Sequence, residues 1–220
     1  MESLTDQIYQ KISTDILNLT LKPGTKIQEK KLQEQLGVGR TPLREAFVIL
    51  KSNGLIKTIP QSGTYVTLID LQKALAARFM RQSIEQKIFG KAAVITDKKI
   101  FDPALKIIEK QRQAVAQHNP IDFFNYDNQF HRFFYEITNN HQVLEWMTPI
   151  CFELHRFRYL RVHDKNLDWE KLLNNHQNIL DAILKSNVYL ADAEVYSHLH
   201  LMLEEADQLV TDFPNYFESD

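Results

Sequence analysis

The chain has 220 residues, 44% hydrophobic and 25% charged, with 28 acidic residues against 26 basic ones and only six glycines. That length holds one large domain or two modest ones. No apolar run approaches the roughly 18 residues of a membrane helix, no signal peptide precedes the first segment, and the single cysteine, Cys151, excludes an internal disulfide framework; a cytoplasmic protein with no membrane partner is expected.

Leu4, Ile8, Ile12, Ile16 and Leu19 recur every three or four residues, which predicts an amphipathic helix. Pro23 and Gly24 break it. A short helix is expected over about 29–36, with Leu32 and Leu36 inward and Gly37 at its end. A third begins after Gly39 and runs to about Ser52, burying Leu43, Phe47 and Leu50. Pro42 sits in its first turn, where a missing N–H costs nothing. Two β-branched runs, LIKTIP and TYVTL, then flank QSG and read as a hairpin.

From about Asp70 no strand is expected. Six helices suffice, over roughly 70–94, 98–117, 121–138, 141–162, 168–186 and 188–211, with Pro149 kinking the fourth. Phe123, Phe124, Phe130, Phe133 and Phe134 read as core, and Cys151 as a small buried hydrophobe. The fold class is therefore mainly α: a winged helix-turn-helix domain over 1–67, a linker at 68–71, and an all-α six-helix bundle over 72–220.

The net charge of −2 hides an asymmetry. Residues 22–66 carry eight basic side chains against three acidic ones, while the chain after residue 66 is acidic. Three helices, a hairpin and local positive charge suit a double-stranded DNA partner. Arg40 and Arg44, four apart, share a helix face about 100° from the buried Leu43. A guanidinium there can donate two hydrogen bonds to a guanine edge. Thr41 and the helix N-terminus suit a phosphate, and Gly63 at the hairpin tip lets the backbone approach one closely.

A second constellation lies further on. Asp127 and His131 are four apart on one predicted helix, His176 opens HQNILDAIL on another, and His198 lies on the last. Facing a bundle interior, the four would hold a divalent metal and leave positions open for water or an anion. By spacing alone, each histidine reads more readily as an ordinary core or surface residue than as a ligand. His118, His141 and His163 fall at helix breaks and read as solvated; His200 turns away from His198, and His155 reads as packing or pocket wall.

The stretch GVGRTPLREAFVILKSNGLIKTIPQSGTYV resembles the DNA-binding domain of the GntR family through Gly37, Val38, Arg40, Thr41, Pro42, Arg44, Glu45, Ala46, Gly54, Leu55, Gly63 and Val66. The resemblance adds Lys30 to the DNA-contacting set, where the family usually has arginine. Gly39 stands where the family usually has serine or threonine, which removes a phosphate contact. The helical part is similar to the FCD ligand-binding domain of the FadR subfamily. Asp127, His131, His176 and His198 occupy all four ligand positions of its metal-binding members, and FHRFFYEITNN matches a further segment with Asn139 in place of glycine. FMRQSIE resembles the family's Arg-x-x-x-Glu helix, which makes Arg81 the first candidate for an anionic effector; Arg156 and Arg158 in HRFRYLR are the next.

The resemblance implies a bacterial transcription regulator, with six helices favouring the VanR-like branch over seven. It would be a homodimer on a pseudo-palindromic operator, repressing or activating according to a small carboxylate effector bound at the metal, with zinc first and nickel or manganese as alternatives. Two other readings stand beside it. The metal itself could be the signal, or the Asp/His₃ set could activate water in a hydrolase or lyase. The enzyme reading would draw its base from Glu153 or Glu136 and leaves the DNA-reading segment unexplained.

Overall fold

The computed structural model describes residues 3–218 and divides the chain into two units. One takes in the chain up to Ala74, Phe152–Tyr159 and the chain from Val210; the other holds Leu75–Cys151 and Leu160–Leu209. Three stretches assigned to 72–220 on sequence, 72–74, 152–159 and 210–220, thus cluster with the N-terminal unit.

In the first unit, Ser3 caps α1 (Leu4–Leu17) in a reciprocal box with Asp6, which satisfies two otherwise orphaned N–H donors. Its Ile8, Ile12 and Ile16 pack with Leu43, Ala46, Phe47 and Leu50 of α3 (Arg40–Ser52) in one buried cluster. Between them, α2 (Glu29–Leu36) ends at Gly37, whose φ of +65° gives the left-handed stop that glycine adopts without strain. Gly39 caps α3 with extended backbone and no side-chain hydrogen bond. The hairpin pairs β2 (Ile56–Ile59) with β3 (Gly63–Val66). A further strand, β1 (Lys26–Ile27), pairs antiparallel with the other edge of β3, giving the order β1-β3-β2. Two residues beside a Pro-Gly turn carry no periodicity, so this strand was invisible in the sequence.

Gly63 opens β3 at φ +135°, and a Cβ there would meet Lys26 Cε at 2.9 Å. Its backbone conformation demands glycine whatever the hairpin touches. Elsewhere in this unit Ile69 bridges in parallel to Phe217, and Phe157 packs edge-on against the Phe217 ring.

The chain after residue 70 holds seven described helices: α4 (Leu71–Ala93), α5 (Asp102–Ala116, led by a 3-10 turn), α6 (Pro120–Ile137), α7 (His141–Ile150), α8 (Phe152–Arg161), α9 (Trp169–Leu184) and α10 (Val188–Asp212). The second unit takes α4 from Leu75 and α10 to Leu209, but of α8 only Leu160 and Arg161. Asn119 and Asp168 cap α6 and α9 through their side chains. The predicted fourth helix is two, α7 and α8, so six becomes seven among the described residues. Pro149 has no N–H to give the preceding turn, and Cys151 leaves helical geometry two residues later at φ −90°, ψ 12°. A count of seven carries no argument for the branch that six favoured. The phenylalanines fill the interior as expected, with the Phe89 and Phe134 rings 4.2 Å apart at a 30° tilt; Cys151 is only half-buried.

The first unit holds one buried charge that the sequence did not disclose. Arg156, fully buried, donates to the main-chain oxygens of Thr67 and Leu68 at 2.8 and 3.0 Å and to Glu153 at 2.5 Å. Glu153 in turn accepts from the Asp70 amide. Arg156→Ala leaves two carbonyls and a carboxylate without their donor, so urea unfolding should show a loss of about 3 kcal/mol. A loss below about 1 kcal/mol would reduce these contacts to the level of an ordinary surface pair.

Candidate metal centre

Helix α6 places Asp127 and His131 one turn apart on its buried face, α9 supplies His176 and α10 His198. One ligand atom from each lies within 4.8 Å of all the others, and all four side chains are buried. The Nε2 atoms of His131 and His176 each stand 3.2 Å from His198 Nε2, and Asp127 Oδ1 is 3.6 Å from His176 Nε2.

The protons on these rings decide what the cluster can hold. His131 Nδ1 lies 2.7 Å from Glu85 Oε2, and His176 Nδ1 lies 2.8 Å from Gln111 Oε1. The Gln111 oxygen accepts from a proton on His176 Nδ1, and the Glu85 carboxylate beside His131 Nδ1 favours the same tautomer by charge, without the alignment of a hydrogen bond; each neutral ring then presents its Nε2 lone pair to the cluster. His198 can donate to only one of the two. Lone pairs and a carboxylate therefore converge in a buried spot that lacks enough donors, the chemistry of a cation site. Nitrogens 3.2 Å apart, each at a bond length of about 2.0–2.1 Å, subtend roughly 100°, within the range of tetrahedral and octahedral sites. Burial pushes His131 below its ordinary pKa, and His198 well below it with the neighbouring His176 and His131 adding to the effect, so both rings stay in the neutral, ligating form.

Glu85 and Gln111 are the residues the sequence reading missed. The Arg81–Glu85 pair was visible as an i,i+4 salt bridge, and it forms at 2.7 Å with both partners buried. What the spacing could not show is that the second Glu85 oxygen faces His131. Burial alone would raise the Glu85 carboxyl; Arg81 and His131 outweigh it and hold the pKa at about 2. Arg81 stays protonated, because Glu85 and Asp127 outweigh its desolvation. Nothing in the local sequence marked Gln111.

Of the three arginines proposed for an effector, the structure brings only Arg81 to this cluster. Arg156 is corrected: its guanidinium is committed to Thr67, Leu68 and Glu153 in the first unit. Arg158 also lies in that unit's Phe152–Tyr159 segment. His118, His141 and His163 are exposed; His200 stacks on Tyr196, and His155 meets Asn18 Oδ1 at 3.4 Å.

At the other candidate site, Arg40 opens α3 and Arg44 follows one turn later, both exposed and, among the described residues, without an ion-pair partner. Thr41 and Lys30 are exposed too, whereas Gly63 is half-buried beside Lys26. No described helix is long and apolar enough to cross a membrane.

Comparison with known proteins identifies the two domains. Residues 4–66 match the model of bacterial regulatory proteins of the gntR family, and residues 77–201 match the FCD domain. The chain belongs to the GntR family of bacterial transcription regulators, in the group that carries an FCD domain. It is 29% identical to the HTH-type transcriptional repressor RspR of Escherichia coli K12, over all of this chain and 96% of that one. It is 27% identical to the Uxu operon regulator of Haemophilus influenzae, over 90% of this chain and 82% of that one. Among solved structures, E. coli McbR/YncC superposes with a TM-score of 0.78 at 20% identity, over 97% of this chain and all of that one. A GntR regulator from Rhodococcus sp. RHA1 gives 0.75 at 18%, over 94% and 97%. The family is regulatory, not enzymatic, which removes the hydrolase and lyase reading.

The tautomers can be checked directly. Long-range nitrogen–proton spectra of the metal-free protein at neutral pH should show His131 and His176 protonated at Nδ1 and bare at Nε2. The reverse tautomer on either ring would remove the cation argument.

Proposed function

We propose that this regulator grips a pseudo-palindromic operator as a homodimer through α3, and that a small carboxylate, taken up at a divalent metal in the second unit, changes that grip. The observation that carries the effector half is the convergence of three Nε2 atoms and the Asp127 carboxylate, with the His176 Nδ1 proton taken by Gln111 and His131 Nδ1 facing the Glu85 carboxylate. Asp127, His131, His176 and His198 would hold the metal; three nitrogens and an oxygen suit zinc first, then nickel or manganese. A bound divalent cation supplies Lewis acidity for a carboxylate oxygen. Glu85, kept anionic by Arg81, orients His131, and Gln111 orients His176. The likeness to RspR, which is named a repressor, favours repression, and an operator partner places the work in the cytoplasm.

For the DNA half, the supporting observation is two exposed guanidiniums at the start of α3 with no ion pair to hold them back. Arg40 and Arg44 read base edges; Thr41 and Lys30 hold phosphates, and Gly63 belongs to the wing. Gly39 offers no hydroxyl, so the phosphate contact its relatives make there is lost.

Effector and operator then compete or cooperate reciprocally: a carboxylate that weakens operator binding by some factor binds the operator complex more weakly by the same factor. A second reading makes the metal itself the signal, which the same buried ligand set favours. Titrating operator binding with zinc and with carboxylates separately decides between them, since a metal sensor responds to zinc with no acid present.

Two outcomes are expected. Protein purified without chelators should carry about one equivalent of divalent metal per chain by elemental analysis. Replacing both His176 and His198 by alanine should abolish it, and Glu85→Gln should weaken metal binding about 10–100-fold; unchanged metal content in the double variant excludes the site. On DNA, Arg44→Ala should cost about 1–3 kcal/mol of operator affinity, read by gel shift with the elution volume unchanged, and Arg40→Ala should relax sequence preference. An operator shift insensitive to both would displace α3 as the reading helix.

A further inference from the structure

Four arginines are buried among the described residues, and three of them hold a carboxylate. Arg81 holds Glu85, Arg156 holds Glu153 and Arg161 holds Glu205. Arg78 is the exception. It is 8% exposed, yet its Nη1 reaches only neutral acceptors: Gln82 Oε1 at 2.6 Å and the main-chain oxygen of Leu199 at 3.5 Å. Nε is buried with no acceptor at all, and no described protein oxygen bonds the edge formed by Nε and Nη2. That edge is the one that takes a carboxylate by two parallel hydrogen bonds.

Burying a charge without a counter-charge is costly, and it is rarely retained without a use. Against a smaller opposing pull from Tyr196, desolvation pushes the Arg78 guanidinium below its ordinary pKa. Its place in the second unit suggests the use. Arg78, Arg81, Gln82 and Glu85 are the buried polar residues of α4, and Arg78 stands about two helical turns, roughly 10 Å of rise, before Glu85. Its second acceptor, Leu199, directly follows the ligand His198 on α10. Gln82 holds Nη1 and so leaves the Nε–Nη2 edge presented.

We propose that Arg78 receives a second acidic group of the effector, so that the sensed molecule is a small dicarboxylate and not a monocarboxylate. This rests on the reading that a first acid group goes to the metal. Arg81, saturated by Glu85, serves to keep His131 in place, and Arg78 discriminates between effectors.

The test uses the full-length, zinc-loaded protein with butyrate, succinate, glutarate and adipate as probes, read by calorimetry and thermal melting. Wild type should bind at least one diacid tenfold or more tighter than butyrate, roughly the value of a charge-assisted hydrogen bond. Arg78→Met should erase that preference and leave butyrate affinity unchanged. Without any acid present it should melt no lower than wild type, because it removes an uncompensated charge. Arg78→Lys, which keeps the charge and loses the fork, should recover only part of the preference. The proposal is overturned if wild type shows no diacid preference, if Arg78→Met retains it, or if Arg78→Met melts several degrees lower in acid-free buffer. Butyrate binding that survives chelation of the zinc counts against the metal reading alone, and the diacid preference is scored independently of it.

Discussion

Two of the three histidine rings in the Asp/His₃ cluster have a neighbour that sets their tautomer, and much of the helical unit's chemistry follows from this. Glu85 on α4 faces Nδ1 of His131 on α6 at 2.7 Å, and Gln111 on α5 accepts the Nδ1 proton of His176 on α9. Each contact ties two helices together and turns a lone pair toward the same point. Arg81 keeps Glu85 charged against the pull of burial, so the network runs from a cation through a carboxylate to a ring nitrogen. Phe89 and Phe130 wall it off: Phe130 stacks on His176 at 4.3 Å and packs edge-on against His131. The low dielectric of that wall strengthens every satisfied contact and makes each unsatisfied one costly.

The two units treat charge in opposite ways. Around α3, cations stand in solvent without partners, where they cost little and remain available to a polyanion. In the helical unit, charges are buried and most are matched: Arg81 with Glu85, Arg161 with Glu205. A surface that reads DNA needs freely hydrated guanidiniums, because their desolvation is deferred until the phosphate or base edge arrives. Buried charges already desolvated and held in place leave little ordering to be done when a ligand binds. The net charge of −2 averages these two regimes and describes neither.

Much of the fold was legible because its signals are local. The i, i+4, i+7 spacing of Leu43, Phe47 and Leu50 delimits α3, and Gly37 and Gly39 mark its approach, since backbone conformation depends on adjacent residues. The four ligands were legible for a related reason: Asp127 and His131 share a helix face, and HQNILDAI resembles a known motif. Features that need a distant partner were not legible. Strand β1 exists only because β3 passes beside it. The fourth helix looked like one kinked rod, since periodicity continues across Pro149 and Cys151 and does not register a lost hydrogen bond. Arg156 looked like a neighbour of Arg158 in an arginine-rich turn, and its two carbonyl acceptors lie 88 and 89 residues away.

By itself, then, the sequence determined the winged helix, the helical character of the rest, the exposed arginine pair and the identity of the four side chains that converge. Periodicity and short motifs encode all of these through neighbouring residues. Tertiary structure alone decided which nitrogen of each ring faces inward, that Glu85 and Gln111 impose it, and which arginines are spent on carboxylates. A buried polar group must find its partner wherever packing brings one, and in this chain those partners come from other helices. The free edge of Arg78 is the clearest case: its meaning lies in a carboxylate that no part of the fold supplies.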